Sequence, residues 1–203
     1  MWRFLLKDVR GERAHFLTTL GFFVTSLAVW SYVAPTASDS APLFFWILLV
    51  FCLHYLVQMT LLHDSTGGFI KNLMISPFYL GHYIVLRFAS LAVVGIALLG
   101  SGLLCFALFF NKEIFLDPVV LMTSFVCHLS LLFFVSFLTL FSKGSFLLGT
   151  FLGYPLMLPI FLLTFLAQTD RLASILLTGS ALALMPASVG GAMIVLHIHR
   201  TST

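Results

Sequence analysis

The residues of this 203-residue chain best suited to chemistry are its seven histidines, because imidazole binds metal or haem and exchanges protons near neutral pH. A metal or haem site needs two or three of them converging, each steadied by a further hydrogen-bonded group. The spacing argues against that. His15, His54, His63 and His82 are scattered at the ends or inner halves of apolar runs, and His197 and His199 would diverge by about 200° on a helix. No metal site is expected, and no cofactor held by the chain itself. His128 is kept as a candidate intramembrane polar site, because it falls inside an apolar run where an imidazole demands a partner. Cys52, Cys105 and Cys127 also sit in apolar runs without CxxC spacing and read as small buried hydrophobes.

Other catalytic signatures are missing from the sequence. There is no phosphate-binding GxxxxGK[ST] loop, no nucleophile elbow, no HExxH and no pair of carboxylates. The chain is therefore not expected to be an enzyme by itself; any ATP hydrolysis would occur in a partner. No apolar run carries an acidic residue at its centre, which argues against proton- or sodium-driven transport. The net charge of +3 is small and scattered, which argues against nucleic acid.

The elements that must position these residues are set by composition. Hydrophobic residues make up 61% and charged residues only 8%, and the mean hydropathy is +1.12. Soluble domains carry about a quarter charged residues, so this surface would have almost nothing to solvate it. The apolar runs are long enough to cross a bilayer as helices and lack the alternation of a membrane barrel. The expected fold is an all-α polytopic membrane protein with a single transmembrane domain over residues 1–203.

Residues 1–13 form a basic amphipathic start. Trp2, Leu5, Leu6 and Val9 share one helical face, while Arg3, Lys7, Asp8 and Arg10 occupy the rest. Trp2, Arg3, Lys7 and Arg10 thus suit an interfacial anchor on anionic lipid. A signal peptide is the rival, but the apolar run that follows is long and no clean Ala-x-Ala site succeeds it. Six spans are then expected at about 15–34, 42–62, 84–110, 119–141, 146–167 and 173–197. Gly149 and Gly153, and the stripe Gly179, Ala183, Ala187 and Gly191, mark close helix packing, read first as packing within the fold, with a homodimer seam as the other use. Pro155, Pro159 and Pro186 predict kinks.

Lys and Arg set the orientation. Eight (Arg3, Lys7, Arg10, Arg13, Lys71, Arg87, Lys143 and Arg200) fall on one side of such a bundle and two (Lys112 and Arg171) on the other. The positive-inside rule then places both termini in the cytoplasm.

One polar break stands out, residues 64–83 between spans two and three. Asp64, Ser65 or Thr66 can cap a short helix. Phe69, Ile70, Leu73 and Met74 share one face of it, and Pro77 drives Ser76 out of helical geometry and ends it. A two-turn helix with one greasy face either lies passively in the headgroup layer or serves as a knob for a soluble partner.

With the basic N-terminus and six spans, the spacing Gly68, Leu73, Ser76 and Pro77 in this loop resembles the membrane subunits of ABC-2-type exporters, whose first cytoplasmic loop docks on a separate ATPase. Within that superfamily the chain is most similar to the cytochrome c maturation protein B family, the haem exporter protein B family. Its length, the opening Trp2-Arg3 with Asp8, the Lys143-Gly144 turn before a span with Pro155 and Pro159, and Pro186-Ala187 with Ala192 carry the likeness. Two features depart from it: Gly68-Phe-Ile-Lys71 lacks the family's acidic residue, and only Lys143 is basic in its turn.

The resemblance implies a permease-like subunit with Gly68, Phe69, Ile70, Leu73, Met74, Ser76 and Pro77 as the ATPase-coupling segment. It implies ATP and haem handled through partner subunits: an ATP-binding subunit and the haem-handling membrane subunits of cytochrome c maturation. It implies a multi-pass protein of the bacterial inner membrane, although the 23 phenylalanines also suit an organelle-encoded chain of the mitochondrial inner membrane. The rival functions are an ABC-2 permease for a lipid, drug or polysaccharide, and a membrane scaffold that transports nothing.

Overall fold

The computed structural model describes residues 13–33, 41–66, 77–110, 117–141 and 146–202. All regular structure among them is helical, in six elements: α1 (Arg13–Val33), α2 (Ala41–Thr66), α3 (Pro77–Phe110), α4 (Pro118–Phe141), α5 (Phe146–Leu166) and α6 (Arg171–Ser202). Five segments are long and apolar enough to cross a membrane: Ala14–Val33, Ala41–Ser65, Gly81–Phe110, Pro118–Leu140 and Arg171–Ile198. Within α5 the apolar stretch Gly153–Leu166 is shorter. The anchor residues Trp2, Arg3, Lys7 and Arg10 lie outside the described residues.

Two helix starts show how the sequence sets its boundaries. Asp117 accepts the Val119 N–H at 2.9 Å on its carboxylate, and its carbonyl takes the Leu121 N–H, with Pro118 at the first helical position, where no N–H is needed. Asp170 does the same for α6, accepting the Leu172 N–H at 2.9 Å. Its own N–H meanwhile closes the end of α5 on the Leu166 carbonyl. The turn between α5 and α6 is thus tied at both ends by one residue.

The chain divides into two compact units. The first holds α1, α2 as far as Thr60 and α3 from Ser90. Its interior is aromatic: Phe45 meets Phe23 edge-on at 5.6 Å and Phe106 at 5.5 Å, and Trp30 stacks on Phe44 at 4.3 Å. Gly102 permits this packing, because a Cβ there would stand 2.8 Å from the Phe23 ring. Bulk supplied by α1 is received by a glycine on α3.

The second unit holds the remaining turns of α2 and α3 (residues 61–89) and all of α4, α5 and α6. The last three pack mutually, most broadly α4 on α6. Val120, Cys127, Ile160, Ala167, Ala173, Leu177 and Ala181 form one apolar core among them. Phe88 of α3 meets Phe133 of α4 edge-on at 5.3 Å.

The small-residue stripe of α6 is a correction. Only Gly191 packs inside the fold, under the Phe134 ring, where a Cβ would come within 2.5 Å. Gly179, Ala183 and Ala187 are exposed. The edge that α6 buries is instead Ala173, Leu177, Ala181, Ser188, Ala192 and Leu196. Small side chains recur on both edges, so their spacing alone does not say which one faces the neighbouring helices.

Candidate functional site

The break between α2 and α3 is shorter than the sequence suggests. α2 continues one turn past the expected end of its span, through Asp64, Ser65 and Thr66, and α3 already begins at Pro77. Asp64 and Ser65 thus lie within the last turn of α2. Ser65 Oγ donates back to the Leu62 carbonyl at 2.8 Å, within its own last turn. Pro77, expected only to end the preceding segment, occupies the opening position of α3, which suits a residue without an N–H. Of the expected coupling residues, Gly68, Phe69, Ile70, Leu73, Met74 and Ser76 lie outside the described residues.

At the two ends of this break the structure brings together residues that the sequence does not pair. Asp64 in the last turn of α2 is buried, and so are Tyr83 and Arg87, one turn apart on one face of α3. Arg87 Nη2 donates to Asp64 Oδ1 at 2.8 Å, and Arg87 Nε lies 2.7 Å from Oδ2. The Tyr83 hydroxyl donates to the same Oδ2. One carboxylate thus takes a guanidinium hydrogen bond on one oxygen, while the other oxygen lies against the same guanidinium's Nε and accepts from a phenol.

Burial decides what this cluster means. Arg87 is 3% exposed and Asp64 8%. Neither charge could be held there alone, because stripping an ion of water costs several kcal/mol, repaid only by an opposite charge with good geometry. Arg87 is thus neutralised within the fold and is not a loose cation at the membrane surface. Removing it from the expected orientation count leaves seven Lys and Arg residues against two, so the expected asymmetry does not depend on it.

His128 has the partner its position demands, and finds it close by. Its Nδ1 lies 2.8 Å from the Ser124 carbonyl, one turn back on α4. A carbonyl only accepts, so Nδ1 carries the proton. Ser124 Oγ stands 3.3 Å from the same nitrogen and 2.6 Å from Thr164 Oγ1 on α5. Thr164 Oγ1 also donates to the Ile160 carbonyl at 2.8 Å. This is a neutral, hydrogen-bonded seam between two helices.

No family model matches the chain. No curated protein and no solved structure matches it either.

His54 is buried, whereas His63, His82 and His197 are exposed at helix ends, and among the described residues no three His, Cys, Asp or Glu side chains are placed to hold a metal. A cavity of about 350 Å³ between α1 and α2 is lined by Thr18, Thr19, Phe22, Phe51, Cys52 and Tyr55. Its threonine hydroxyls are turned back on their own helix, Thr18 to the Ala14 carbonyl and Thr19 to that of His15, and the walls are apolar. The charged cluster at the ends of α2 and α3 is the only ion pair found among the described residues, and it flanks the segment that the sequence singles out.

Proposed function

We propose that this chain is the permease-like membrane subunit of an ABC transporter complex that handles or exports haem during cytochrome c maturation, with ATP hydrolysed by a separate subunit. One observation carries the reading. Two helices apolar enough to cross a membrane are joined by a short polar segment, and the helix ends on either side of it are laced together by Asp64, Tyr83 and Arg87. A segment so mounted suits a soluble partner that pushes on it, because its two feet are fixed to each other. The motif that points to an ATPase as that partner is Gly68, Leu73, Ser76 and Pro77 within it.

In this reading Phe69, Ile70, Leu73 and Met74 present an apolar face to the ATPase. The six helices form the membrane domain, residues 1–13 lie in the interface, and both termini are cytoplasmic in a bacterial inner membrane. Haem and ATP are handled with partner subunits. The test is affinity purification of the full chain from its host in gentle detergent, with identification of the proteins that co-elute. An ATPase with haem-handling subunits is the expected result. An ATPase alone would point to export of another cargo, and none at all would leave a scaffold. Leu73→Asp is expected to leave the chain in the membrane and abolish recovery of the ATPase; unchanged recovery would remove Leu73 from the contact.

A further inference from the structure

The cluster of Asp64, Tyr83 and Arg87 is costly for what it returns in stability. An ion pair buried among apolar residues is commonly matched or bettered by apolar side chains of similar volume, so its presence calls for a role that greasy packing would not fill. Apolar contacts slide: their energy depends on area and barely on direction. A guanidinium hydrogen-bonded to one carboxylate oxygen and in ion-pair contact with the other, with a phenol donating to that second oxygen, is directional and resists shear. The bonds join residues 19 and 23 positions apart in sequence, across the segment 67–76. Both partners on α3 sit on one face, so they oppose rotation of α3 about its axis as well as its separation from α2.

We infer that Asp64, Tyr83 and Arg87 form a latch that makes the adjoining ends of α2 and α3 move as one body, so that a push on residues 67–76 reaches both helices together instead of being lost in their sliding. The inference relies on the proposed function only for the source of the push; the latch itself is a property of this chain. Asp64 is the centre of the device, because both other members bind it.

Spin labels on the full chain in lipid nanodiscs test it. Leu62→Cys and Val85→Cys, in a background with Cys52, Cys105 and Cys127 replaced by alanine, put one label on each helix end at side chains that are 45% and 50% exposed. The wild-type latch is expected to give one narrow inter-label distance distribution. Asp64→Asn is expected to broaden it. Because a stranded Arg87 could unfold the region, the deciding variant is Asp64→Leu with Arg87→Met, which leaves no unpaired charge.

In that pair, unchanged helix content by circular dichroism with loss of the narrow distribution supports the latch. A distribution as narrow as wild type overturns it, because packing alone would then hold the ends together. Absence of a co-purifying ATPase would overturn the reading of the loop and leave this result standing. An ATPase that is recovered beside a chain whose labels stay narrow without the ion pair would spare the reading and remove the latch.

Discussion

Two polar clusters in the same unit of this protein satisfy their groups in opposite ways. Ser124, His128 and Thr164 lean on their own helices: His128 takes the carbonyl one turn back, Thr164 does likewise, and a single hydroxyl contact crosses from α4 to α5. The contacts of Tyr83 and Arg87 with Asp64 instead all cross from α2 to α3. The first cluster would survive separation of its helices with most bonds intact. The second would strand two charges. Neutral intramembrane groups can therefore be carried by any helix that bends a side chain back, whereas a buried charge commits two helices to each other.

The largest effect should come from breaking the ion pair on one side. Arg87→Ala leaves Asp64 buried without its cation, a loss of about 3–5 kcal/mol where a buried pair is broken. Asp64→Leu with Arg87→Met should cost far less than either single change, because the charge is removed along with its partner. Unfolding by titration with sodium dodecyl sulfate, followed by loss of helix signal, would rank the three. If the double variant were as damaged as the single ones, the cluster would be a packing element and the contrast with the Ser124 cluster would fail.

Tyr83→Phe comes next. It keeps the ring and removes one hydrogen bond to an ionised acceptor, worth about 1.5–3 kcal/mol. The same titration should place it between the single charge deletion and any change in the Ser124 cluster. A variant indistinguishable from wild type would mean that the guanidinium alone satisfies Asp64.

The helices themselves were readable because hydropathy over twenty residues is a strong signal: each expected apolar run falls on one of six helices, five of which carry a segment long and apolar enough to cross a membrane. The deviations share a cause. Asp64 looks like a cap because it follows an apolar run and precedes a polar one, and only the position of Arg87, 23 residues on, turns it into the inner end of an ion pair. Sequence spacing carries no information about which turn of α3 comes level with α2. His128 was legible as an imidazole in need of a partner, yet the partner is a backbone carbonyl, which has no signature in side-chain types. The stripe Gly179, Ala183 and Ala187 has the period of a packing face, but so has the edge through Ala173, Leu177 and Ala181, and only the neighbours decide between them.

The smallest effect should come from the bond between α4 and α5. Thr164→Val keeps the shape of the side chain and removes the 2.6 Å contact with Ser124. Interhelical hydrogen bonds of this kind in membranes average roughly 0.6 kcal/mol, because the separated helices find other partners. Here those partners are already in place: Ser124 Oγ still has His128 Nδ1 at 3.3 Å, and His128 still has the Ser124 carbonyl. Ser124→Ala should cost a similar amount, and the double variant should cost little more than either single change, since both delete the same bond. A double-mutant cycle by the same unfolding titration gives the coupling directly. A coupling as large as that across Asp64 and Arg87 would mean that the neutral seam also commits its helices to each other, and that charge is not what distinguishes the two clusters.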